Sequence, residues 1–157
     1  MPAMSAEEMK AASRRYMDEL YNKGNTAIVY ELLAPNFVYH TATPPITKDR
    51  EGIIQEATLL RTAFPDARIT VDDLLIEGDK LAMLWTIRGT HKGDFYGVPP
   101  TNKQVTWSGI VLGRIVDGKN VEAWNHVDRL GLLQQLGAIP ETAITPQPTA
   151  TQPQAHA

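Results

Sequence analysis

Two hydrophobic periods divide the chain. Up to about residue 64, apolar side chains recur every three or four positions. From about 67 to 128 they alternate with polar ones. In the first part, Met9, Ala12, Tyr16 and Leu20 predict a helix over residues 5–22. Ser5 is placed to cap it, and Glu7 and Glu8 sit in its first turn, where carboxylates suit the helix dipole. Gly24 supplies a left-handed stop. A short helix is expected over 26–33, broken by Ala34-Pro35-Asn36, and then a short strand over 37–41. A third helix, 48–63, carries Ile53, Ile54, Ala57 and Leu60 on one stripe with Phe64 just beyond it, and Pro65 stops it.

The alternating part predicts four strands, 67–77, 80–91, 103–116 and 120–128. Gly78-Asp79 and Asp117-Gly118 are hairpin turns, and residues 92–102, rich in Gly and Pro, form a loop. A last helical turn or two follows over 130–136, ended by Gly137. Helices first and antiparallel strands after them predict an α+β domain with helices on one face of a sheet. The second strand is apolar on both faces, since Met83, Trp85 and Ile87 alternate with Ala82, Leu84 and Thr86. One face meets the helices. A homodimer or higher homo-oligomer would cover the other.

The stretch VEAWNHVDRLGLLQQLG (residues 121–137) carries the candidate chemistry. Alternation puts Glu122, Trp124, His126 and Asp128 on one face and Val121, Ala123, Asn125 and Val127 on the other. Trp124 beside His126 and Asp128 points to a partly buried polar face, hence a pocket. A carboxylate in an apolar pocket has its pKa raised toward neutrality, which suits proton transfer. Asp128 is therefore a candidate general acid/base, although it also stands where the last helix needs an N-cap. His40 and His126 are candidates to hydrogen-bond or orient reacting groups, or to be ordinary structural histidines. Tyr16, Tyr39, Trp85, Phe95, Trp107 and Trp124, with Tyr96, are candidate ligand-binding aromatics, each equally suited to plain core.

The 157 residues make one domain, expected over 1–137. Residues 138–157 are Pro, Thr, Gln and Ala with almost no charge, and predict a disordered tail. A net charge of −3 and no basic stripe argue against nucleic acid. Without cysteine there is no disulfide or thiol nucleophile. There is no nucleotide-binding glycine motif, no metal-ligand spacing, no serine elbow, no membrane-spanning run and no secretory signal. The expectation is a cytoplasmic protein without metal or cofactor, acting on a small hydrophobic molecule.

Three stretches carry a resemblance to a known family: YNKGNTAIVYELLAPNFVYH, TAFPDARITVDDLLIEGDKLAMLWTIRGTHKGDFYGVPPTNKQV, and 121–137 as quoted. In order and content the chain resembles the SnoaL-like polyketide cyclases (ester cyclases) of the nuclear-transport-factor-2-like superfamily. The resemblance implies a cone-shaped fold, in which a strongly curved, mainly antiparallel sheet wraps three N-terminal helices around a deep apolar pocket. It also implies oligomers built through the outer face of the sheet. It implies cofactor-independent aldol ring closure, with Asp128 at the place of the acid/base aspartate and His40 at that of a motif histidine. Many members carry histidine where this chain has Ala123. The implied reaction is cyclisation, or a related isomerisation or dehydration, of a hydrophobic carbonyl compound. A non-catalytic ligand-binding module and an epoxide or lactone hydrolase share the same pocket. The hydrolase reading would gain from Arg88 or Arg114 beside Asp128.

Overall fold

The computed structural model describes residues 3–141. Among them, in chain order, are α1 (Ala6–Met17), α2 (Ala27–Leu32), β1 (Leu33–Thr41), β2 (Thr47–Lys48), α3 (Arg50–Ala63), β3 (Arg68–Glu77), β4 (Lys80–Thr90), β5 (Gln104–Val116), β6 (Lys119–Val127) and α4 (Arg129–Gln135). The fold is α+β. One curved, unclosed sheet of order β2-β1-β6-β5-β4-β3 carries the helices on its inner face. All neighbours run antiparallel except β1 and β6.

Local signals act where the sequence places them. Ser5 Oγ accepts from Glu8 N–H at 3.1 Å, and Glu8 Oε2 accepts from Ser5 N–H at 2.7 Å, a reciprocal cap that starts α1. After Met17 the helix widens into a single π turn, Asp18–Asn22. Asp49 caps α3 by accepting from Gly52 N–H at 2.9 Å. The Asp117-Gly118 turn has positive φ at both residues, 50° and 77°, which matches the twist of the β5–β6 hairpin.

Two expectations about the first sheet edge need correction. α2 ends before Ala34-Pro35-Asn36, but the strand expected to begin at Phe37 begins at Leu33, so this stretch lies inside β1. The pairing of β1 with β6 shifts between Leu33 and Val38, an irregularity that tolerates a residue without an N–H. The two-residue strand β2, which pairs at Tyr39↔Lys48 and His40↔Thr47, was not anticipated. At the other end, residues 138–141 are placed rather than loose. Ala138 N–H donates to Leu133 O at 2.9 Å, and Gln134 Nε2 donates to Pro140 O at 3.1 Å. The remainder of the expected tail lies outside the described residues.

The core has two parts. Phe64, Trp85, Trp107 and Leu132 pack among α3, β4, β5 and α4. Leu20, Ile28, Val29, Phe37 and Ile53 pack among α1–α3 and β1. Burying one such side chain stabilises by about 1.5–3 kcal/mol. Tyr16, Tyr21 and Val111 touch both parts, and they border a cavity between helices and sheet.

Candidate active site

The register of three strands decides what faces the cavity. The tight turn pairs Val116 with Lys119, and after one irregularity Val111 lies opposite Asn125. Met83 lies opposite Val111 on the next strand. Met83, Val111 and Asn125 thus form one inward row, flanked by Trp85, Ile87, Ala123 and Val127, and all of them line the cavity. The cavity between sheet and helices has a volume of about 140 Å³ and opens to solvent, and its walls are mainly apolar.

Asn125 is one of two buried polar residues among those described, the other being His91. Its Oδ1 accepts from Trp85 Nε1–H at 3.3 Å, and its Nδ2 donates to the Tyr39 hydroxyl oxygen at 2.5 Å. Tyr39 uses that oxygen as acceptor, which leaves its own O–H to donate into the cavity. The Trp85 ring can lie across β5 because the residue opposite it is Gly109. A Cβ there would stand 2.4 Å from Trp85 Cζ2 and 2.7 Å from His126 O.

From the helices come Tyr16 on α1, Tyr21 in the π turn and Glu56 on α3. Single π turns recur at functional sites, and here the turn carries a cavity-lining phenol. Glu56 is the sole carboxylate among the described lining residues. Lys48 Nζ holds its Oε2 in a short ion pair from β2. Burial pushes the phenols of Tyr16, Tyr21 and Tyr39 well above the ordinary value, and the Glu56 carboxylate pushes each in the same direction. The three phenols are un-ionised donors at neutral pH.

Arg129 follows β6 and lines the cavity with Phe95, Tyr96 and Leu132. Its Cζ lies 4.9 Å from the centre of the Tyr96 ring. Its Nε–H is buried without an acceptor.

The alternation expected along β6 is present, but the face is reversed. Trp124 lies on the outer side of the sheet, stacked on the His40 ring at 5.0 Å and 8°. His40 Nε2 is 2.9 Å from Glu122 Oε1, and Glu122 Oε2 is 3.7 Å from Arg114 Nη2. His126 is exposed opposite Ile110. Asp128 lies past the strand end, exposed, with its Oδ1 accepting from Gly131 N–H at 2.9 Å. Asp128, His40, His126 and Trp124 therefore do not line the cavity, whereas Tyr16, Tyr39, Trp85, Phe95 and Trp107 do. Arg114 pairs with Glu122 on the outer face, and Arg88 is exposed, so neither stands with a carboxylate in the cavity.

Glu56, Tyr21, Asn125 and Arg129 escaped the sequence reading. The signal for Asn125 lay in the turns. Chaining the Asp117-Gly118 hairpin to the apolar Met83/Trp85/Ile87 face puts Asn125, not Trp124, among the inward side chains. Glu56 lies three residues after Ile53 and one before Ala57, on the edge of the buried stripe of α3.

The sequence profile of the SnoaL-like polyketide cyclases matches residues 11–136. The chain belongs to the SnoaL-like polyketide cyclase family. It is 31% identical over 129 residues to the aklanonic acid methyl ester cyclase DauD of Streptomyces sp. (strain C5), covering 78% of each chain. It is 28% identical over 123 residues to the nogalonic acid methyl ester cyclase of Streptomyces nogalater, covering 77% of this chain and 92% of that one. Among solved structures, AclR from Streptomyces galilaeus, whose assignment as a hydroxylase is provisional, superposes with a TM-score of 0.78. It shares 29% identity over 87% of this chain and 100% of its own. TsrD from Streptomyces laurentii gives 0.77, with 26% identity over 87% of this chain and 100% of its own. As a SnoaL-like cyclase the chain keeps the family's fold around the cavity. Among the described residues of this SnoaL-like cyclase, no three His, Asp or Glu side chains group to hold a metal, and no helix is long and apolar enough to cross a membrane.

Proposed function

We propose that this SnoaL-like chain closes a carbon ring in a hydrophobic carbonyl compound by intramolecular aldol addition, with Glu56 as the acid/base. The observation that carries this reading is one carboxylate facing an apolar cavity whose other polar groups include three un-ionised phenols. The Glu56 carboxylate takes a proton from the carbon next to a carbonyl. The C–H electron pair becomes the enolate. Tyr16, Tyr21 and Tyr39 donate hydrogen bonds to the oxygen on which charge develops, where such donors matter most. The enolate carbon attacks a second carbonyl carbon of the same molecule, and the C=O electron pair moves onto oxygen. That alkoxide takes the proton back from Glu56, so the acid/base leaves as it entered. Lys48 keeps the Glu56 carboxylate oriented through the ion pair. Asn125 cannot exchange protons in this way, and its part is to fix Tyr39.

The test sets Glu56 against Asp128. The substrates are aklanonic and nogalonic acid methyl esters, on which the named relatives act, and the corresponding free acids. Glu56→Gln is close to isosteric, and it should fold and lose about 10²–10⁴-fold in turnover. Asp128→Asn keeps capping ability and should stay within a few-fold of wild type. The reverse pattern would return the proton transfer to Asp128. A wild type that binds these compounds and converts none would instead favour a ligand-binding module.

The same reading includes a homodimer through the outer sheet face. Leu84, Ile110 and Leu112 stand there 38%, 54% and 41% exposed, beside Trp124. A row of exposed large apolar side chains on a sheet calls for a cover.

A further inference from the structure

The charges around the cavity do not cancel. Glu56 is matched by Lys48. Arg129 has no matching carboxylate among the described residues, and its guanidinium rests against the Tyr96 ring. An aromatic face attracts the cation but accepts no conventional hydrogen bond in the guanidinium plane. Its Nε–H is buried and finds no acceptor. Buried donors without partners are rare in folded proteins and call for an explanation.

The surroundings narrow the ligand. Tyr96, 50% exposed with φ 50°, and the neighbouring Gly97, with φ 84°, form a turn closed by the Phe95↔Val98 bridge, so the ring over Arg129 is carried by a loop tip at the cavity edge. Phe95, Val127 and Leu132 continue the wall beside it in apolar side chains. One unmatched positive charge next to apolar walls suits a single negative charge on an apolar body. The planar fork of a guanidinium matches the two oxygens of a carboxylate. A phosphate dianion would call for further cations, and none lines the cavity among the described residues.

We propose that Arg129 is a specificity-determining residue that binds a substrate carboxylate, so that this chain prefers a free acid where the named relatives are methyl ester cyclases. This rests on the reading of the cavity as the substrate site. The probes are anthraquinone-2-carboxylate and its methyl ester, flat molecules that differ only in the charged group. Quenching of Trp85 and Trp107 fluorescence reports occupancy. Wild type should bind the acid about 10- to 100-fold more tightly than the ester, the size expected of a charge-assisted hydrogen bond. Arg129→Gln should lose that preference while keeping the ester affinity, which also reports that the cavity is intact. Glu56→Gln should keep the preference. Equal binding of acid and ester by wild type overturns the assignment to Arg129 and leaves the cavity reading standing. So does an Arg129→Gln variant that still favours the acid. Binding of neither compound overturns both.

Discussion

Replacing Asn125 with leucine tests the link between sheet register and cavity chemistry. The two side chains share branching and heavy-atom count, so the change deletes hydrogen bonds while keeping the shape, and the extra bulk of two methyl groups is met by the adjoining cavity. Trp85 Nε1–H, now bonded to Asn125 Oδ1 at 3.3 Å, would be left in a buried setting without an acceptor. Such a loss costs about 1–3 kcal/mol. Tyr39 would lose the donor that reaches its oxygen at 2.5 Å. Its hydroxyl still faces the cavity, so that loss is smaller, about 0.5–1.5 kcal/mol. The sum is about 1.5–4.5 kcal/mol. At roughly 2–4 °C per kcal/mol for a chain of this size, the melting temperature should fall by about 3–18 °C. The sharper measurement is a double-mutant cycle in urea with Tyr39→Phe. Removing the phenol alone strands Asn125 Nδ2, and removing both partners strands neither. The double variant should therefore be more stable than the sum of the two losses predicts, by about 1 kcal/mol or more. Additivity to within about 0.5 kcal/mol would refute a working Asn125–Tyr39 bond, and with it the orientation given to the phenol.

Two further outcomes follow from the same geometry. The fold raises the pKa values of Tyr16, Tyr21 and Tyr39, so their stabilising contribution is fully present below the ordinary phenol value of about 10 and is lost as pH climbs beyond it toward the folded values. In an alkaline titration followed by tyrosinate absorbance, three of the five tyrosines should ionise only as the chain unfolds, and early ionisation of all five would contradict the burial. Light scattering at micromolar concentration should give twice the monomer mass, and Ile110→Lys with Leu112→Lys should give the monomer mass at unchanged fold; a wild type that is monomeric at every concentration would remove the dimer.

Most of the fold could be read from side-chain period. The helical stripe of α3 and the alternation of β3–β6 place each element to within a few residues. What period two cannot supply is the choice of face. Trp124 suggested a pocket because large aromatics are costly to expose. A flat ring stacked on His40 meets that need on the outer surface as well as an interior would. The inward residue is Asn125, a short amide between Ala123 and Val127, which stands out only once the neighbouring strands fix the register. Asp128 misled for another reason. Its place at the end of the strand made it look like a continuation of the polar face, but the backbone turns there to start α4, and the carboxylate caps that helix. Glu56 reaches the cavity from α3, far from β6 in the chain. Only tertiary structure brings Glu56 together with Tyr16, Tyr21 and Tyr39.

The parallel pairing of β1 with β6 also orders events during synthesis. Tyr39 pairs with Ala123, so the first long strand waits for the last one before its inner edge is satisfied. The β3–β4 and β4–β5 hairpins can zip as they leave the ribosome, because their partners are near in sequence. β1 finds β2 close by, but its other edge has no partner until β6, which ends at Val127, has emerged. A nascent chain stalled before that point exposes an unpaired strand edge, a condition under which chaperones are recruited and intermediates aggregate. The segment that completes the cavity wall is therefore also the one that commits the whole chain to its folded state.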